Sequence, residues 1–379
     1  MKQWIRRVIA VGVVLAIAGF LVAASGIIPI KASSGHWAIT EWFLRFSMRR
    51  SIATHSLGTD VPELNDAGLV LKGAGHYEFG CRSCHGAPGE RQPRVAKAML
   101  PQPPELVHRI RESNPKKLFH VVKHGLKFTG MPAWPSQQRD DEVWAMVAFL
   151  IKLPQLGEAE YRQLVNGEPT PTAPIQTLSP TDTEPQLPAA VNRTCVRCHG
   201  NEGLGRDSTV FPKLAGQRRT YMADALHAYA SGSRHSGIME PIAAGLSEEM
   251  IRELAEYYAR LGWSAQPKRI AQNDVVLIEN GRRIANEGIP GSRVPACVEC
   301  HGPRGRRAKD AYPSLAGQPA EYLLLQLELF KNGQRGGSSY AHLMKEVAPR
   351  MKPDEMRAVT KYFESLPAGG PDSELRPNR

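Results

Sequence analysis

At 379 residues the chain has room for two or three domains, and its 34 Gly and 30 Pro argue for compact, loop-rich units and against long helical arrays. The formal net charge of +11 fits an ordinary solvated surface or one that steers an acidic partner. All six cysteines fall in three short motifs with over 95 residues between successive groups.

The chain opens with Lys2, Arg6 and Arg7 ahead of an uncharged, mostly apolar run from Val8 to Ile30, enough for the roughly 20 residues a helix needs to cross a bilayer. Ala23-Ala24 offers a cleavage site, but a cleavable signal normally has an apolar core of only about 7–15 residues. Residues 1–31 are therefore read as a retained N-terminal membrane anchor. The positive-inside rule leaves the rest of the chain outside the cytoplasm, and cleavage would export it equally. Residues 32–66 interleave Trp37, Trp42, Phe43, Leu44 and Phe46 with Arg45, Arg49 and Arg50, as expected of a juxtamembrane amphipathic segment on a membrane surface or of a helix packed on the next domain.

Cys81-x-x-Cys84-His85 is the first of three copies of one motif; the others are Cys195-x-x-Cys198-His199 and Cys297-x-x-Cys300-His301. On a helical turn, cysteines at i and i+3 share a face with the histidine beside the second. Two thioether bonds then hold a porphyrin so that the histidine ligates its iron, which predicts three covalently bound haems c. Disulfides at this spacing would close small strained loops and leave each histidine unexplained. A structural zinc site needs four ligands, and a thioredoxin-like pair needs a strand-helix-strand context that is not visible. Haem attachment places the domains in the bacterial periplasm, on the inner membrane by way of the anchor.

Each iron needs a sixth ligand, and thioether sulfur is the soft donor that raises a haem's potential. Met131 lies in the loop Gly130-Met131-Pro132-Ala133-Trp134-Pro135, ahead of a predicted helix over Asp140–Leu150. A proline-rich linker follows, taken as 156–185. Beyond it, Phe211-Pro212-Lys213-Leu214-Ala215-Gly216-Gln217 recurs as Tyr312-Pro313-Ser314-Leu315-Ala316-Gly317-Gln318, and Tyr221 recurs as Tyr322. Met239 and Met344 occupy matched positions later in the two repeats, each followed by a predicted helix, from near Ser247 and near Pro353. Ordinary core packing is the alternative for each methionine. His342, two residues before Met344, is a rival ligand, and His124 and His235 raise the same question more weakly. The metal ligands are thus read as His85, Met131, His199, Met239, His301 and Met344. Pro212 and Pro313 are the expected carbonyl partners of His199 and His301, whereas Pro101, Pro103 and Pro104 compete for His85.

These residues resemble class I cytochromes c, in which an N-terminal helix leads into the haem motif, a loop supplies methionine, and a C-terminal helix crosses the first. Gly73 and Tyr77 before Cys81, and Trp144 and Phe149 on the final helix, fit that pattern in the first unit. Its Gly-Met-Pro-Ala-Trp segment resembles cytochrome subunits of bacterial membrane-bound dehydrogenases. The repeat resembles the dihaem cytochrome c-four group, down to Met239-Glu240-Pro241-Ile242-Ala243-Ala244-Gly245-Leu246. The second unit departs from the pattern in a truncated first helix, and the third in an insertion over Asn286–Pro295.

The resemblance implies a mainly α fold, with three class I cytochrome c domains in tandem after a transmembrane helix, at 67–155, 186–264 and 268–367, and a polar tail over 368–379. It implies an electron-transfer protein, not an enzyme. The expected function is a membrane-anchored relay between a dehydrogenase or quinol-oxidising complex and a terminal oxidase or another cytochrome. No small-molecule substrate and no nucleic acid are expected. The alternative is a multihaem enzyme with one catalytic haem, such as a peroxidase. Arg304, Arg306, Arg307 and Lys309 are candidates for a patch that steers an acidic redox partner.

Overall fold

The computed structural model describes residues 2–28, 31, 33–110, 113–167, 189–261, 274–302 and 309–367. It is mainly α, and among the described residues the only β pairing is two isolated bridges, Ala87 with Glu90 and Ile289 with Val294. Helix α1 (Lys2–Ala24) is exposed over Gln3–Ala24 and is the one described helix long and apolar enough to cross a membrane. Helix α2 (Ala38–His55) follows.

The first core is built by α3 (Ala67–Gly80), the one-turn α4 (Arg82–His85), α5 (Arg94–Lys97) and α6 (Leu106–Arg109), then α7 (Pro115–His124), α8 (Asp140–Lys152) and α9 (Glu158–Asn166). Local chemistry starts these helices: the Asp66 carboxylate accepts from the Leu69 N–H, and the Asn114 side chain caps α7 ahead of Pro115. Three acidic residues occupy the first turn of α8, where the helix dipole favours them. Helices α3 and α8 cross at Gly73, where a Cβ would overlap the Ala145 carbonyl, so only glycine allows the approach. Around that crossing Tyr77, Val143, Met146 and Phe149 are fully buried, each large apolar side chain contributing about 1.5–3 kcal/mol.

Residues 156–167, expected to begin the linker, belong instead to the first core. Glu158–Asn166 is helical, and Tyr161 and Val165 are buried against Tyr77 and Phe149. The prolines lie further along, and the rest of the expected linker, 168–185, is outside the described residues, as are the tail at 368–379 and Arg304, Arg306 and Arg307 of the basic patch.

The second core comprises α10 (Ala189–His199), α11 (Arg219–Ala230), α12 (Met239–Ala244) and α13 (Glu248–Arg260), packed through Tyr221, Met222, Leu254 and Tyr258. Ser247 caps α13 through the Met250 N–H. The third comprises α14 (Val275–Glu287), α15 (Val298–His301), α16 (Ala320–Lys331), α17 (Ala341–Val347) and α18 (Pro353–Ser365). Its α14–α18 crossing repeats the α3–α8 device, with Gly281 against the Ala358 carbonyl. The insertion before the third motif is a short 3-10 turn over Pro290–Ser292, closed by the Ile289–Val294 bridge.

The three units are docked. The second and third face each other across a pseudo-two-fold arrangement. The Gln217 side chain accepts from the Ser314 N–H (2.8 Å) and donates to its carbonyl (3.1 Å), while Gln318 does the same to Lys213 (3.0 and 2.7 Å). The first unit packs on the second through α3, α8 and α9.

Candidate haem sites

The three motifs occupy equivalent places. Cys81 ends α3 and His85 ends α4; Cys195, Cys198 and His199 form the last turns of α10; Cys297 precedes α15, which ends at His301. None of the six cysteines is in a disulfide, and burial pushes the Cys81 and Cys297 thiols up to about 12 and the Cys195 and Cys198 thiols up to about 11. Among the described residues no cluster of His, Cys, Asp and Glu is arranged to hold a bare metal ion.

Each motif histidine makes the same second contact. His85 Nδ1 meets the Pro104 carbonyl at 2.9 Å, His199 the Pro212 carbonyl at 3.0 Å, and His301 the Pro313 carbonyl at 3.0 Å. A carbonyl only accepts, so Nδ1 carries the proton and Nε2 keeps its lone pair for a metal. Burial lowers all three imidazoles against the opposing effect of that hydrogen bond, His301 to about 4, which keeps them neutral. Of the three prolines that competed in the first unit, Pro104 makes the contact.

The methionines lie on different local structures. Met131 is in a loop, its N–H held by the Thr129 hydroxyl at 3.0 Å, which in turn donates to the Leu126 carbonyl. Met239 and Met344 lie on short helices, Met239 as the first residue of α12 and Met344 within α17, packed against the third core. His342 is exposed on the same helix, its ring tilted near that of Tyr340, and His124 is exposed at the end of α7 beside His120. His235 is paired with Glu240 at 3.6 Å.

Several residues of the site escaped sequence reasoning. Arg234 and Arg335 are only 5% and 7% exposed, yet they bond the hydroxyls of Tyr221 and Tyr322 and the Gln326 carbonyl, and pair with no carboxylate among the described residues. Burial would raise the Tyr221 phenol, but the two guanidiniums outweigh it and bring it down to about 8. Two buried cations without an anion call for one, and the propionate carboxylates of a porphyrin at the junction of the second and third units fit that need. Their matched places in the repeat, Gly232-Ser233-Arg234 and Gly333-Gln334-Arg335, were a usable signal.

Between the first and second units, a Cβ added to Gly75 on α3 would stand 3.1 Å from Cys198 Sγ. Arg197, inside the second motif, lies 3.9 Å from Glu78, three residues before Cys81. Glu78 also accepts from Tyr161 (2.6 Å) and Arg82 (2.8 Å). The first and second attachment motifs are therefore neighbours across this contact. Glu142 and Arg139 of α8 and the preceding loop are buried at the same junction, 2% and 6% exposed, and reach residues 235–237 of the second unit.

Two family models match the chain: cytochrome c oxidase, cbb3-type, subunit III, over residues 68–150 and 185–257, and cytochrome c over 278–367. The thiosulfate dehydrogenase electron acceptor of Thiomonas intermedia (strain K12) is 34% identical over 174 residues, 46% of this chain and 79% of the relative. Cytochrome c4 of Thiocapsa roseopersicina is 32% identical over 194 residues, 50% of this chain and 97% of the relative. A solved cytochrome c4 structure from Acidithiobacillus ferrooxidans shares 35% identity, covering 45% of this chain and 98% of that one, with a TM-score of 0.40.

Proposed function

Because this chain belongs to the class I cytochrome c family, we propose that it is a membrane-anchored periplasmic electron relay holding three covalently attached haems. The observation that carries the reading is the threefold recurrence of one arrangement: a cysteine pair not joined in a disulfide, and a neutral histidine fixed through Nδ1 by a proline carbonyl. Haem c, when bound, supplies a one-electron iron couple.

The chain's own residues do the rest. Cys81 and Cys84, Cys195 and Cys198, and Cys297 and Cys300 are the attachment pairs, with His85, His199 and His301 as proximal ligands. Met131, Met239 and Met344 would supply the sixth ligands, which would favour electron carriage over catalysis at an open iron. The exposure of His342 and the packing of half-buried Met344 against the third core support methionine there. Arg234 and Arg335 would neutralise propionates at the junction of the second and third units.

The α3–α10 contact at Gly75 and the paired Gln217 and Gln318 make the three attachment sites successive neighbours. A relay needs such an order; a row of independent beads would not produce it. In this reading α1 anchors the chain, and α2 lies on the membrane surface. Helix α2 turns Ile39, Trp42, Phe43 and Phe46 to solvent, with Arg49 and Arg50 extending that stripe, a pattern suited to an anionic interface. The donor is a periplasmic dehydrogenase or quinol-oxidising complex, and the acceptor a terminal oxidase or another cytochrome. The name of the Thiomonas relative, an electron acceptor of thiosulfate dehydrogenase, supports a dehydrogenase as donor.

The test combines haem quantitation with ligand binding on the full chain in detergent. Three haems per chain, none binding carbon monoxide in the reduced state, is the expected result. Prompt carbon monoxide binding at one haem would move the assignment to the catalytic alternative.

A further inference from the structure

The loop that presents Met131 is supported within its own unit, since the Thr129 hydroxyl receives the Met131 N–H and is itself tied to Leu126. The loop that presents Met239 has a similar hydroxyl with a different support. Ser236 Oγ receives the Met239 N–H at 3.1 Å and donates at 2.7 Å to Glu142 Oε1, a carboxylate of the first unit.

Glu142 does more than meet the serine. Its Oε2 accepts the Gly237 N–H at 2.6 Å and the Trp134 indole N–H at 3.2 Å, and Arg139, 3.1 Å from the carboxylate, donates to the His235 carbonyl at 2.7 Å. Trp134 packs so closely on Gly237 that a Cβ there would overlap the indole. Ile238 is buried in the first unit's core, not the second's. Four consecutive residues, 235 to 238, are thus held by another unit immediately before Met239.

We propose that Glu142 is a positioning residue for the second haem: through Ser236 it fixes the loop that aims Met239, so that the first unit sets the ligation and potential of the haem next to it. The inference rests on Met239 being the axial ligand. A carboxylate buried with a guanidinium and accepting three neutral donors is rigid, because any rotation leaves a buried donor unpaired. The consequence is coupling: separating the first unit from the second would loosen Met239, lowering the second haem's potential and opening its sixth position.

The test is potentiometric titration of the full three-haem protein in detergent, with carbon monoxide binding on the reduced form, for Glu142→Gln, Ser236→Ala, Thr129→Val and Met239→Ala. Ser236→Ala removes only the bridging hydroxyl and keeps the Glu142–Arg139 pair, the smaller perturbation, so it carries the test if Glu142→Gln does not mature. The expected result is that Glu142→Gln and Ser236→Ala each lower the potential of the same single haem that Met239→Ala lowers, with partial gain of carbon monoxide binding there, and that Thr129→Val shifts a different haem. If Met239→Ala moves one potential while the Glu142 and Ser236 variants lose only thermal stability, Glu142 is a structural bond between units and the proposal fails alone. If Met239→Ala moves none, the ligand assignment fails and takes the proposal with it.

Discussion

Replacing Glu142 by alanine tests the energetic side of the same junction. The side chain is 2% exposed and holds a buried guanidinium, a serine hydroxyl, a glycine N–H and an indole N–H. Breaking a buried pair by removing one partner costs about 3–5 kcal/mol, because the survivor stays buried and uncompensated. Arg139 keeps Asp141 at 2.8 Å and the His235 carbonyl, which places the expected loss near the lower end, about 3 kcal/mol. For a cooperative unit of this size that is a fall of about 6–12 °C in the transition that includes the first and second units. Glu142→Gln keeps a single acceptor oxygen, for either the Ser236 hydroxyl on Oε1 or the Gly237 and Trp134 N–H groups on Oε2, and should lose less than Glu142→Ala. Differential scanning calorimetry of fully haem-loaded protein at neutral pH is the assay. A Glu142→Ala transition within about 2 °C of the parent would refute the reasoning, since no buried carboxylate with four partners is removed so cheaply.

Other outcomes follow from the same geometry. Met131→Ala and Met344→Ala should each lower the potential of one haem and admit carbon monoxide there, read by spectroelectrochemistry, whereas His342→Ala should leave all three potentials in place. Burial would raise the Asp141 carboxyl, but Lys72 at 2.8 Å and Arg139 outweigh it and hold it far below the ordinary carboxylate value. Its stabilising contribution is therefore complete above that ordinary value and lost as the pH falls below about 4. Melting temperature against pH should show this acid loss, and Asp141→Asn should flatten it; an equal acid slope in the variant would rule Asp141 out as its source. Gly281→Leu should cost at least about 1–3 kcal/mol by forcing α14 from α18, detected as a lowered melting temperature with the first unit's haem spectrum unchanged. Replacing Trp42, Phe43 and Phe46 together by serine should reduce hydrogen-exchange protection of α2 in anionic nanodiscs but not in detergent; equal protection in both would remove the membrane-surface reading.

How legible the chain was differs from feature to feature. The final helices, predicted at Asp140–Leu150 and from near Ser247 and Pro353, appear at Asp140–Lys152, Glu248–Arg260 and Pro353–Ser365, because acidic first turns, a serine cap and an N1 proline are local signals. The helix at Glu158–Asn166 was hidden by the prolines beyond it; its Tyr161 and Val165 register as core only when Tyr77 and Phe149 are placed beside them.

The sequence by itself determined which atoms can hold a porphyrin, since Cys-x-x-Cys-His spacing is a property of one helical turn and needs no distant partner. It also disclosed the repeat, including the glutamine that ends each Pro-x-Leu-Ala-Gly-Gln segment, but not that Gln217 and Gln318 each bind the other repeat's backbone. Nothing about Glu142 in Asp140-Asp141-Glu142 sets it apart from a solvated first turn, and nothing about Arg234 or Arg335 alone marks a buried cation. Those roles belong to the tertiary structure. A charge acquires its meaning from what is buried against it, and at these junctions the partner is about a hundred residues away in the chain.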